Sequence, residues 1–244
     1  MLILLPPSET KRSGGVGISI DKLAIIWAAL DPARDVLIEK LELLCADEKK
    51  AVKSLKLGNA AATDIGANLA LRTSPTMPAV ARYTGVLFQA LGYESLSDSA
   101  KLRVSEQLFI QSALFGLLPA TEQIPYYKFS ATTKLDGVNL RDHWHQAHKA
   151  VWPRLVGDVL DLRSKSYVDL NPVPETHSSF TVEVLDNRGK ALNHFNKKAK
   201  GAFVRAALEK GLASAADIPG IAKTAGLQAE IDGRCVRLLV PEGF

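Results

Sequence analysis

The apolar positions of this chain fall into two rhythms, and their order predicts the elements. Leu2 to Leu5 is an unbroken apolar run, read as a short buried strand that Pro6-Pro7 stops. The polar stretch Ser8 to Gly15 predicts an irregular, exposed loop. From Asp31 to about Leu91 the rhythm is helical. Asp31-Pro32 predicts a helix start, and Val36, Leu37, Leu41 and Leu44 recur on one face, with Cys45 as a core residue. Asn59 to Leu71 predicts a second helix, broken by Ser74-Pro75 and Met77-Pro78. Val80 to Leu91 predicts a third, with Tyr83-Thr84-Gly85 inside it, where glycine costs about 1 kcal/mol relative to alanine. Ser99 to Leu117 predicts another, stopped by Gly116 and Pro119. Ile124 to Lys128 reads as extended, because Pro125 disfavours helix in the residue before it. Arg141 to Val156 is amphipathic and helical, with Pro153 as its breaking point.

The second half adds strands. Val159 to Leu162 is one, and Phe180 to Leu185 alternates apolar and polar residues. The latter leads through Asp186-Asn187-Arg188-Gly189 to 191–195, a hairpin signal. Lys197 to Gly211 is helical, and Glu230 to Val236 predicts a last hairpin around Asp232-Gly233. With no internal repeat and no interdomain linker, the order of elements predicts one α+β domain over 1–244, a mixed sheet surrounded by helices.

Composition narrows the class. An apolar fraction of 47% and a charged fraction of 23% are those of a globular protein and exclude disorder along the whole chain. The longest apolar runs, such as Ile110 to Pro119, are far short of the roughly 20 residues a membrane span needs. The first residues show no charged region and no small-residue cleavage site, so the expected compartment is the cytoplasm. Two cysteines are too few for a disulfide framework or a structural zinc site. The formal charge of +4 is mild, but it is unevenly placed. Residues 187–210 hold seven basic residues and one acid, a net of +6, so the remainder is slightly acidic at −2.

That segment is the first candidate for chemistry. At about 100° per residue, Lys197, Lys198, Lys200 and Arg205 share an arc of about 160°, with Gly201 near its middle. A bare backbone flanked by cations suits a phosphate, although a solvated helix face has the same pattern. Two turns could present amides to a phosphate in a helix-hairpin-helix element: Ile218-Pro219-Gly220-Ile221 and Leu114-Phe115-Gly116-Leu117. A plain loop and a buried helix end are the alternatives. His143, His145 and His148 lie on one predicted helix, where only His145 and His148 could share a face. A surface role is expected for them, with no metal site and no cofactor. No nucleophile elbow, phosphate loop or dinucleotide fingerprint is present.

Several of these segments together resemble the YaaA family, named for peroxide-stress resistance. Leu2 to Lys11 resembles the family's opening strand, proline and lysine-containing loop, and Tyr83-Thr84-Gly85 matches its Tyr-Thr-Gly. Ser112 to Pro119 matches Ser-x-Leu-Tyr-Gly-x-Leu, Tyr127-Lys128 stands for Tyr-Arg, and Trp144 matches a further aromatic element. Leu162 to Tyr167 and Phe195 to Arg205 supply the last two matches. Lys11 falls two positions later than in some members, and Lys128 in place of arginine gives up bidentate phosphate contacts.

The resemblance implies a monomeric fold peculiar to the family, with a helix-hairpin-helix element and a basic cleft. It also implies DNA binding largely without sequence preference, to single or double strands, and protection against iron-driven oxidative damage. The cleft positions it implies are Lys11, Tyr83, Gly85, Ser112, Gly116, Tyr127, Lys128, Ser164, Tyr167, Lys197, Lys198, Lys200, Gly201 and Arg205. In this reading exposed Tyr83, Tyr127 or Tyr167 would stack on bases. The alternative is an enzyme acting on a nucleobase or nucleotide. Glu9 would be its acid or base, Lys198 its phosphate anchor, and Ser8, Lys11, Ser112 and Tyr127 would line the same cleft. A Glu9 buried beside Lys11 favours the enzyme, and an exposed Glu9 on a groove rim favours binding.

Overall fold

A computed structural model describes residues 1–22, 25–186, 188–190 and 194–244. Nine strands are described: β1 (Leu2–Leu5), β2 (Met77–Pro78), β3 (Leu108–Ser112), β4 (Gly116–Pro119), β5 (Gln123–Ile124), β6 (Val159–Asp161), β7 (Ser179–Asp186), β8 (Gln228–Asp232) and β9 (Cys235–Val240). The helices are α1 (Asp31–Cys45), α2 (Glu48–Leu55), α3 (Ala61–Leu69), α4 (Ala79–Arg82), α5 (Val86–Leu91), α6 (Asp98–Gln107), α7 (Leu140–His148), α8 (Lys165–Val168), α9 (His194–Lys210) and α10 (Ile218–Thr224).

Seven strands form one mixed sheet in the order β4-β3-β1-β6-β7-β9-β8. The inner five are all parallel, and β4 and β8 close the two edges antiparallel. β1 sits in the middle with all four residues buried, as an apolar run covered on both faces requires. Parallel strands need crossovers, and the helices supply them, so the architecture is α/β rather than α+β. The mixed sheet surrounded by helices is as expected. A single buried apolar cluster joins β1, β3, β6 and β7 to α1, α5, α6 and α9. No described helix is long and apolar enough to cross a membrane.

Four local readings change. The helix expected from Ser99 to Leu117 ends at Gln107, and Leu108–Ser112 is a wholly buried strand. A short buried apolar run does not reveal by periodicity whether it is strand or helix. Consequently Leu114-Phe115-Gly116 turns a β-hairpin, with Ser112 opposite Gly116, and joins no helices. Pro219-Gly220 is also no interhelical turn: both residues lie in the first turn of α10, where proline's missing N–H costs nothing. Neither turn forms a helix-hairpin-helix. Finally, of the hairpin after β7, 187 and 191–193 lie outside the described residues, His194 and Phe195 begin α9, and β7 pairs with β6 and β9 in parallel. The hairpin around Gly233 is present, pairing Asp232 with Cys235.

Candidate functional site

Because the inner five strands run parallel, their carboxyl ends share one edge of the sheet. The loop after β1 carries Lys11, and β3 ends at Ser112. Beyond β6 come Ser164 and Tyr167, beyond β7 the start of α9 with Lys197 and Lys198, and beyond β9 the residue Phe244. The chain leaves β1 toward β3 on one side, whereas β6, β7 and β9 extend the sheet on the other. Such a reversal opens a crevice at the carboxyl ends, the usual ligand position in open α/β sheets. Here the reversal falls between β1 and β6, the strands that lead into the Lys11 loop and the Ser164 segment.

The Lys11 loop is held in place from below. Lys11 forms an isolated antiparallel bridge with Tyr83, Arg12 N–H donates to the Arg82 carbonyl at 2.8 Å, and Thr84 N–H donates to the Thr10 carbonyl at 3.1 Å. This pairing interrupts the helix expected from Val80 to Leu91, leaving Tyr83 extended between α4 and α5. Gly85 follows because a side chain there would run into Ser8 Oγ. Arg82, fully buried, donates to the carbonyls of Arg12 (2.6 Å), Gly14 (2.8 Å), Ile124 (3.0 Å) and Pro75 (3.3 Å). Asn68 fixes the other wall, accepting from Lys128 N–H at 2.8 Å and donating to the Lys128 carbonyl at 2.9 Å.

Within this frame the Lys11 Nζ lies 4.3 Å from the Tyr127 ring centroid and 5.6 Å from that of Tyr83. Burial above all, and then Lys128, lower the Lys11 pKa to about 7, against the opposing pull of Glu9 and Asp64. Behind the rings runs a hydroxyl chain. Ser112 Oγ accepts from the N–H groups of Leu114 (3.1 Å) and Phe115 (3.0 Å), which leaves its proton for Tyr127 at 2.8 Å. Tyr127 continues to Tyr83 at 2.7 Å. Burial raises the pKa of both tyrosines, so the chain stays protonated.

Other expected positions lie elsewhere or differently. Tyr83 and Tyr127 are buried and cannot stack on bases; Tyr167 is half-buried at the crevice. Gly116 sits in the β3–β4 hairpin against Trp144, away from solvent. Glu9 is exposed rather than buried beside Lys11, the arrangement that favours binding over acid–base work. Half of the basic arc of α9 is taken up in packing. Lys200 is buried, with Nζ donating to the Leu162 carbonyl at 3.0 Å and its pKa lowered to about 8 by burial. Gly201 faces α5, and Arg205 closes the end of α5 by donating to the carbonyls of Leu91 and Gly92, each at 3.0 Å. Lys197 and Lys198 remain exposed, Lys198 lying 4.7 Å from the Phe244 ring centroid. Two of the segment's seven cations, Lys200 and Arg205, are therefore used to pack the helix, and the other five are exposed.

One of the three helix histidines also changes role, while His143 and His145 stay partly exposed. His148 is buried, its Nε2 accepting from Leu117 N–H at 3.0 Å while Nδ1–H donates to the Trp144 carbonyl at 2.8 Å. With both nitrogens occupied it ligates no metal, and burial lowers its pKa to about 3. The described residues contain no group of three metal-ligating side chains. Unfolding lets His148 take up a proton near pH 6.5, so its contribution to stability is present at neutral pH and lost as pH falls toward 3. His148→Gln is expected to flatten the stability profile in this window by up to about 1.4 kcal/mol per pH unit. Urea midpoints measured from pH 7 to pH 4 that run parallel in both proteins would contradict it.

Sequence reading missed Arg82, Asn68 and the buried Arg163–Asp161 pair at 2.7 Å, which shapes the loop after β6. The available signal was an arginine or asparagine set inside an apolar periodic stretch.

Together these features define an α/β protein with lysines beyond the carboxyl ends of its parallel strands and a buried hydroxyl chain beneath Lys11. The family model described as peroxide stress protein YaaA matches residues 1–231, and the chain belongs to that family. A UPF0246 protein of Corynebacterium glutamicum strain R is 38% identical over 241 residues, spanning 94% of this chain and 95% of the relative. A UPF0246 protein of Streptomyces coelicolor is 39% identical over 220 residues, 87% and 85% of the two chains. A Campylobacter jejuni protein described as uncharacterized is 28% identical over 211 residues, 82% of each.

Proposed function

We propose that this member of the peroxide stress family is a monomeric cytoplasmic protein that binds DNA backbone along the carboxyl edge of its sheet. The observation that carries the reading is that Lys11, Lys197 and Lys198 follow the carboxyl ends of parallel strands, with Lys128 close enough to Lys11 to act on its charge. Phosphates fit this arrangement better than bases do. The cations are spread along the edge, α9 begins with amide groups and no acid in its first turn, and the buried tyrosines offer no stacking face. Ser164 and Tyr167 would add hydrogen bonds to sugar or phosphate. Protection from iron-driven damage follows in this reading from occupancy of the DNA.

Affinity for short duplexes of unrelated sequence is expected to fall about a hundredfold between 50 and 200 mM salt, the effect of roughly four phosphate contacts. The double variant Lys197→Glu/Lys198→Glu should weaken every duplex alike and reduce the salt slope by about two. Fluorescence anisotropy reads both, and an affinity indifferent to salt would sink the proposal.

A further inference from the structure

We propose that the Lys11 ε-amine is a nucleophile that forms a Schiff base with the aldehyde of a phosphate-bearing sugar. The inference rests on the anion-binding reading of the same edge and names what that edge would act on.

A lysine that serves only to attract phosphate gains from staying hydrated and charged. Lys11 is arranged the opposite way. Lys11 is half-buried with its Nζ 4.3 Å from the Tyr127 ring centroid, and among the described residues its amine makes no ion pair and no hydrogen bond. The charged groups that act on it are Lys128 and Arg82, which oppose its protonation, and Glu9 and Asp64, which favour it. Glu9 is exposed and Asp64 is engaged by the Tyr126 hydroxyl at 2.8 Å. Desolvation beside a second cation is the arrangement that makes a lysine amine nucleophilic, and its lowered pKa fits this. The backbone beneath it is tied by the Tyr83 bridge and by Arg82, so the amine is held in place rather than searching. Lys128, half-buried on the neighbouring wall, is placed to hold the phosphate.

The neutral amine attacks the aldehyde carbon, forming the C–N bond as the carbonyl π pair passes to oxygen. That oxygen takes up a proton from solvent and the nitrogen releases one, giving a carbinolamine. Loss of its hydroxyl as water after protonation leaves the C=N bond. No oxidant or reductant is needed. The sugar could be an abasic residue in DNA, a common product of peroxide-derived radicals, or a free sugar phosphate.

The test is reductive trapping with cyanoborohydride, using the full chain with a duplex carrying one abasic site, the same duplex intact, and ribose 5-phosphate. The expected result is an adduct mapped to Lys11 by peptide mass spectrometry, at least about tenfold above the intact duplex and increasing between about pH 6 and 8. An adduct with the abasic duplex alone assigns DNA damage as the substrate, and one with ribose 5-phosphate as well assigns the free sugar. Lys11→Arg should abolish trapping while melting as the wild type does. Adducts scattered over exposed lysines, or no adduct on Lys11 of the wild-type chain, overturn the inference. Anisotropy on the intact duplex separates the two readings. Binding without trapping overturns this inference alone, and trapping of ribose 5-phosphate without duplex binding overturns the DNA reading alone.

Discussion

Arg82→Met is expected to lower stability by about 4 kcal/mol, the largest effect of any single change at this site. The guanidinium is fully buried and serves the carbonyls of Arg12, Gly14, Pro75 and Ile124. Methionine fills much of the volume but donates nothing, and each buried acceptor left alone costs about 1–3 kcal/mol. Water can reach Gly14, which is exposed, but not the carbonyl of wholly buried Ile124, so the sum stays below four full penalties. In a chain of this length the loss corresponds to a fall of roughly 10 °C in Tm. Urea denaturation with a loss below 1 kcal/mol would show that the loop holds itself. If the prediction holds, limited proteolysis should also cut between Ser8 and Gly15 in the variant, because the same carbonyls anchor that loop.

Gly201→Ala should destabilise by about 2 kcal/mol, and here the sign matters more than the size. In an open helix face the same change stabilises by about 1 kcal/mol, since alanine is the better helix former. In this fold a Cβ at Gly201 would collide with the Leu87 carbonyl and the Ala90 side chain. The Leu87 carbonyl belongs to α5 and cannot rotate away, so α9 must lift and surrender packing along its length. A midpoint shift toward higher denaturant would restore the idea of an open glycine bounded by cations. A shift toward lower denaturant fixes Gly201 as the place where two helices touch.

These two residues mark what the amino-acid pattern could and could not disclose. β1, β6, β7 and the β8–β9 hairpin were legible because their apolar runs, alternation and turn residues are local properties. The strand at Leu108–Ser112 was not, because an element buried on all sides carries no polar face to set its period. The concentration of charge around α9 was real, yet its use was hidden. A lysine that reaches 38 residues away to the Leu162 carbonyl looks the same in sequence as one that faces water. The motifs around Lys11, Tyr83, Ser112 and Tyr127 were legible as a group, and the structure brings those four together. The burial of Tyr83, Ser112 and Tyr127 was not, since it depends on Arg82 and Asn68 closing the loops from below.

The central place of β1 has a consequence for how the chain is made. Its partners are β3, which begins at Leu108, and β6, which begins at Val159. A ribosome adding 5–20 residues per second delivers the second partner roughly ten seconds or more after the first strand emerges. Until β3 emerges four consecutive large aliphatic residues have no strand to join, and until β6 emerges one edge of β1 stays open. Closing loops of such length before any pairing is rewarded slows the search, and it leaves a sticky segment exposed to other nascent chains. The strand that finally occupies the best-protected position in the sheet is therefore the one most in need of shelter during synthesis.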